Sequence, residues 1–164
     1  MRALSSPEVR AFLLQYRTSE YRVFDALQSL SRSNDLLTVG VGNQSRPNLV
    51  PGSRVYLWEA GGRDLVGRGV AITRVEQRDM PQDLRSFLAN PHQYDPTEPR
   101  VVIRIDCVFT TPISRKHLQQ DVVVAKAPFF RNKANSQGSY FFVDPDVSHS
   151  LDRIICETRL PIDG

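Results

Sequence analysis

Apolar and polar positions along the chain divide it into short strands and shorter helices. Residues 11–16, Ala-Phe-Leu-Leu-Gln-Tyr, are mostly apolar and unbroken, the pattern of a strand over Arg10–Arg17 covered on both faces. Thr18 and Ser19 offer a helix cap, and Val23, Leu27 and Leu30 fall at helical spacing within Tyr21–Leu30. A polar break over Ser31–Asp35 precedes a second short strand, Leu36–Val41. An irregular polar loop, Asn43–Asn48, and the turn Pro51-Gly52 follow. Val55–Ala60 reads as a third strand, with Tyr56 and Trp58 on one face and Val55 and Leu57 on the other. Gly61-Gly62 turns the chain into a paired strand, Asp64–Val75, which completes a hairpin.

Asp79–Ala89 is expected to be a helix with Pro81 near its first turn and Leu84, Phe87 and Leu88 on one side. A loop over Asn90–Pro99 leads to a half-buried strand, Arg100–Phe109. In that strand Val101, Ile103, Ile105, Cys107 and Phe109 are expected to face one way, and Val102, Arg104, Asp106 and Val108 the other. Thr111-Pro112 should end it, and Ser114–Gln120 is expected to form a helical turn. Ala127–Gln137 is apolar and then basic, with Phe129 and Phe130 read as packing residues. A last strand, Ser139–Val143, leads into a helix with Asp144 as cap, Pro145 at the first position and an apolar stripe of Val147, Leu151, Ile154 and Ile155. Five or six strands with three or four short helices imply an α+β fold, a partly closed β-barrel with helices against it, since closure removes exposed sheet edges.

The 164 residues suit a single domain, with a core of about residues 9–158 and short terminal tails. Apolar residues make up 40% and charged residues 24%, a globular composition. No apolar run approaches the length of a membrane helix, and the N-terminus lacks the apolar stretch of a signal peptide, so a cytoplasmic location is expected. Cys107 and Cys156 are read as buried reduced thiols. His92, His117 and His149 are scattered, and no metal site or cofactor is expected. The net charge is +3, and 18 of the 21 basic residues are Arg, which can pair bidentately with phosphate.

The run from Val50 to Val70, Val-Pro-Gly-Ser-Arg-Val-Tyr-Leu-Trp-Glu-Ala-Gly-Gly-Arg-Asp-Leu-Val-Gly-Arg-Gly-Val, resembles the signature of EVE domains. These belong to the PUA-like superfamily, which also holds YTH and ASCH domains. Ser53 stands where the family has an acidic turn residue, and Arg68 where it has a small one. Tyr16–Leu30, with its Ala26-Leu27 pair, resembles the opening strand and helix. Gly138–Phe142 followed by Asp144-Pro145 resembles the closing strand and helix.

The resemblance implies a non-catalytic module that holds a flipped, modified base, foremost a modified cytosine in double-stranded DNA. It also implies a specificity domain of a modification-dependent restriction or defence system, with a fused or associated nuclease or translocase. Extruding a base costs a few kcal/mol, and an aromatic stack returns about 1–3 kcal/mol. The candidate base-binding residues are Trp58, Tyr56, Asn43, Gln44, Ser45 and Gly61: rings for stacking, amide and hydroxyl groups for the base edge, and the turn beside them. The candidate phosphate-binding residues are Arg46, Arg63, Arg68, Arg131 and Lys133. Thr38–Val41 carries no ring, although many family members have an aromatic residue at the start of this region. An RNA-binding PUA-like module, and a protein-interaction or small-ligand domain that keeps the barrel, are the alternatives. No nucleophile motif or phosphate loop is present, and Glu59 stands as a lone acid read as a surface residue.

Overall fold

The computed structural model describes residues 10–41, 49–61, 64–127 and 140–158. Among them, β1 (Ala11–Arg17), β2 (Leu36–Gly40), β3 (Arg54–Ala60), β4 (Asp64–Ala71), β5 (Glu76–Gln77), β6 (Pro99–Ile113) and β7 (Tyr140–Val143) form one mixed sheet. Its order is β2-β6-β4-β3-β1-β7, with β5 on β6, so the sheet is open at β2 and β7. β1 and β3 are parallel, and the other pairs are antiparallel. The helices are α1 (Val23–Gln28), α2 (Gln82–Arg85), α3 (Arg115–Leu118), α4 (Val122–Ala125) and α5 (Pro145–Thr158). This is the α+β class that the strand and helix spacing implies, with the two-residue β5 added.

Apolar layers cover both sides of the sheet. Phe12, Leu14, Tyr16, Val55, Leu57, Ile103 and Ile105 pack with α1 on one side. Ala11, Leu13, Tyr56, Trp58, Leu65, Cys107 and Phe109 pack with α3, α4 and α5 on the other. The unbroken apolar run of β1 follows from this, because each alternate residue meets a different core. Burying both faces of a central strand is the main stabilising contribution here, at about 25 cal/mol per Å² of apolar surface.

β6 departs from simple alternation. Arg68 pairs with Cys107 while the next residue, Gly69, pairs with Ile105, so Asp106 is an extra residue in the ladder. The bulge puts Ile103 and Ile105 in one core and Cys107 and Phe109 in the other, not on one face as the alternation implies. Val108 accordingly packs with Ile105's layer. β6 also runs through Thr111-Pro112 to Ile113 rather than stopping there. Pro112 is tolerated because the β4–β6 ladder steps from Gly67↔Val108 to Leu65↔Ile113, leaving a stretch of β6 out of register where no N–H is needed.

Three helix expectations change. Thr18 and Ser19 do not cap α1. The cap position is Arg22, without a side-chain bond, and the buried Glu59 carboxylate of β3 accepts from Phe24 N at 3.1 Å instead. Glu59 is therefore a core acid that serves a helix start, not a surface residue. The helix over Asp79–Ala89 shrinks to α2, because Phe87 O and Ala89 N bond to Arg22 N and Glu20 O, and Leu88 bridges Tyr21. Tertiary pairing takes the backbone groups that a longer helix would use. α4, not legible in its Val-rich sequence, exists because Asp121 accepts from Val123 N and Val124 N at 2.9 and 3.0 Å.

Those N–H groups, with Arg153 beside them, hold the Asp121 carboxyl below its ordinary pKa. The stability it adds is present above the unfolded carboxylate pKa and is lost as the pH falls through the lower folded value. Asp121→Ala should cost about 1 kcal/mol near neutral pH, and denaturant titrations at successively lower pH should show the gap closing in acid.

Candidate nucleic-acid interface

The residues that matter lie at one end of the sheet, on the side of α3, α4 and α5. β3 ends there at Ala60, and Gly61, exposed with φ +100°, turns the chain toward β4. That left-handed conformation favours glycine. Across the sheet Gln15 of β1, Trp58 of β3, Leu65 of β4 and Ile113 of β6 form one row. α3 begins two residues past Ile113. Its N-terminus is held twice: Ser114 Oγ accepts from His117 N at 3.1 Å, and Asp64 Oδ2 accepts from Arg115 N at 2.7 Å. The second bond ties α3 to the β3–β4 hairpin.

Trp58 is 6% exposed and belongs to the cluster that contains Leu65, Phe109, Leu118 and Val124. Stacking a base on it requires the side chains around it to part. Tyr56, two residues earlier on the same face, is fully buried. Its hydroxyl donates to Asp152 Oδ1 at 2.7 Å and lies 2.8 Å from Ser148 Oγ. Arg68, the cross-strand partner of Tyr56, donates through Nε to Asp106 Oδ1 at 3.0 Å and through Nη1 to Asp152 Oδ1 at 3.2 Å. Arg54 adds an ion pair to Asp152 Oδ2 at 3.5 Å.

This network fastens α5 to the sheet behind Trp58. Burial raises the Tyr56 phenol above its ordinary pKa; the Ser148 hydrogen bond opposes that, and Asp152 adds to it. Burial works against the Arg68 charge, but Asp106 and Asp152 outweigh it and leave the guanidinium pKa above its ordinary value. Tyr56→Phe should lower stability by about 1.5–3 kcal/mol, the worth of a hydrogen bond to a charged group, measured by denaturant titration.

The structure therefore brings Trp58, Tyr56, Arg68 and Gly61 to one strand pair. Asn43, Gln44, Ser45, Arg46, Arg63, Arg131 and Lys133 lie outside the described residues, as do Phe129 and Phe130. Two residues of β1 on this face were not among the residues singled out from the sequence. Gln15 stands beside Trp58 in register, half-buried on the face that also carries Ala11 and Leu13. Its carboxamide is a donor–acceptor pair next to an indole, the combination that reads a base edge. Arg17, two residues on, shares this face beside Ala60. The sequence signal was there: Gln15 is the one amide in the apolar run of β1.

Elsewhere, Cys107 is buried but Cys156 is an exposed free thiol on α5, so only one of the two matches the expectation of burial. A cleft of about 250 Å³ lies between α4 and α5, lined by Val122, Val123, Lys126, Ala127, Asp144, Asp146 and Val147. Among the described residues no group of three His, Cys, Asp or Glu could hold a metal ion, and no helix is long and apolar enough to cross a membrane.

No family model matches the sequence, and no curated protein matches it. Solved structures do. A hypothetical protein from Leishmania major aligns with a TM-score of 0.62 at 15% identity, covering 92% of this chain and 97% of that one. Human THYN1, in complex with 5-methylcytosine-containing DNA, aligns at 0.54 and 12% identity over 92% and 98% of the two chains. The YTH domain of Zygosaccharomyces rouxii MRB1, in complex with N6-methyladenosine RNA, aligns at 0.52 and 13% identity over 93% and 91%. At such identities the likeness is one of fold, and the fold of this chain is the PUA-like α+β fold that these structures share.

Proposed function

We propose that this chain is a non-catalytic, EVE-type reader module that binds nucleic acid by taking a flipped modified base beside Trp58. The observation that carries the reading is the row Gln15–Trp58 at one end of a sheet whose fold is shared with THYN1 on methylated DNA and a YTH domain on methylated RNA. Modified cytosine in double-stranded DNA is the first ligand. Trp58 supplies the stacking surface, with Gln15 beside it and with Asn43, Gln44 and Ser45 for the base edge. Tyr56 and Arg68 support the indole from behind through Asp152, and Gly61 sets the hairpin that ends at the site. Arg46, Arg63, Arg131 and Lys133 are assigned to phosphates. In this reading the chain is one domain that supplies specificity to a restriction or defence protein, with the cutting or translocating activity on a fused or associated domain.

The test is direct binding to duplexes that differ only in plain, 5-methyl or 5-hydroxymethyl cytosine. A preference for one modified duplex is expected, and equal affinity for all three would remove the reading. The YTH likeness supports a second reading, a methylated single-stranded RNA, and competition between such an RNA and the modified duplex separates the two. Trp58 is the only tryptophan in the sequence, so its emission should shift when a base enters. Titration at fixed protein concentration reads that shift.

A further inference from the structure

The three consecutive basic residues of α3 are part of neither the base site nor the core, and all are exposed: Arg115, Lys116 and His117. We infer that they form a contact surface for the sugar-phosphate backbone of the nucleic acid whose base reaches Trp58; this rests on the proposed reading and names the face that docks.

Placement carries the argument. α3 follows directly on Ile113, the end of the row that holds Trp58, and Asp64 fixes it to the hairpin turn beside that row. A strand that delivers a base to Trp58 must run past this end of the sheet. Leu118, at the inner side of α3, is fully buried in the Trp58 cluster, so the helix is anchored while Arg115, Lys116 and His117 stay exposed.

Two acids beside α3 have backbone or arginine partners of their own. Asp64 accepts from Arg115 N, and Asp121 is bonded to Val123 N, Val124 N and Arg153. Among the described residues Lys116 and His117 enter no ion pair. Arg68, by contrast, is held by two aspartates, so a phosphate would have to compete for it. Arg17 lies on the same face, at the β1 end of this rim.

The experiment measures affinity for a plain and a modified duplex across a range of salt concentrations. It compares the wild-type chain, the double variant R115A/K116A, and R74A, whose exposed arginine lies beyond the opposite end of β4. Each lost phosphate contact should remove about 0.9 from the slope of log K against log salt. The double variant should therefore flatten the slope by about 1.8 and lose about 30-fold in affinity near 0.15 M salt, equally for both duplexes.

The R74A variant should match the wild type. Unchanged slope and affinity in the double variant, with its fold verified by thermal melting, would overturn the assignment, as would a wild-type chain that binds neither duplex. Equal wild-type affinity for plain and modified duplexes sinks the base reading while leaving the slope test of this surface intact.

Discussion

Trp58→Leu should lower affinity for a duplex carrying the modified base by about 5- to 150-fold, the equivalent of the roughly 1–3 kcal/mol that a base–aromatic stack is worth. Leucine is the useful replacement because Trp58 is 6% exposed and belongs to the core cluster with Leu65, Leu118 and Val124. Truncation to alanine would leave a large cavity and cost about 3–5 kcal/mol, enough to confuse unfolding with lost binding. Leucine keeps apolar contact and removes the extended π-face. Affinity for the unmodified duplex should fall much less, because phosphate contacts supply most non-specific binding. Fluorescence anisotropy of a labelled duplex gives both affinities, and a thermal melt shows that the variant is folded. A folded Trp58→Leu protein with unaltered preference for the modified duplex would show that the indole is a packing residue only. The base would then have to be read elsewhere.

Gly69→Ala should destabilise the fold by about 3 kcal/mol, at the upper end for overpacking a well-packed site. A Cβ at Gly69 would lie 2.4 Å from Arg104 O and 2.7 Å from Ile103 Cγ2. The first of these is backbone of the neighbouring strand, which cannot move aside without disturbing the ladder next to the Asp106 bulge. Gly67 makes an instructive contrast. A Cβ there meets Leu27 Cδ1 at 2.8 Å, the end of a flexible side chain, and Cys107 O only at 3.3 Å. Gly67→Ala should therefore cost clearly less. Denaturant midpoints for the two variants test the ranking, and equal midpoints would mean that the bulge yields more readily than its geometry implies. The Gly69 variant should also weaken ligand binding, since the bulge places Arg68 over Asp152 and so fixes α5 behind Trp58.

The local pattern of the chain is enough to place most elements. β1, β2, the β3–β4 hairpin, the start of β6, α3, β7 and α5 follow from apolar spacing, turn residues and caps, which act between near neighbours in sequence. The α+β class follows from the same spacing. Trp58 and Tyr56 sharing a face follows from strand period alone. What tertiary structure decided are matters of partnership between distant residues. Glu59 caps α1 from 35 residues away, and α2 stops early because its neighbouring backbone pairs with Glu20 and Arg22. The Asp106 bulge moves Cys107 and Phe109 to the other core, an outcome set by which residues of β4 they oppose. Gln15 acquires its place beside Trp58 only through the parallel register of β1 and β3, and Tyr56 is held inside by an aspartate on the last helix. Sequence spacing determines which side chains share a face only where a strand runs without a bulge, as β3 does from Tyr56 to Trp58. Only the packed sheet determines which of them lie next to the indole and which are occupied in holding the helix behind it.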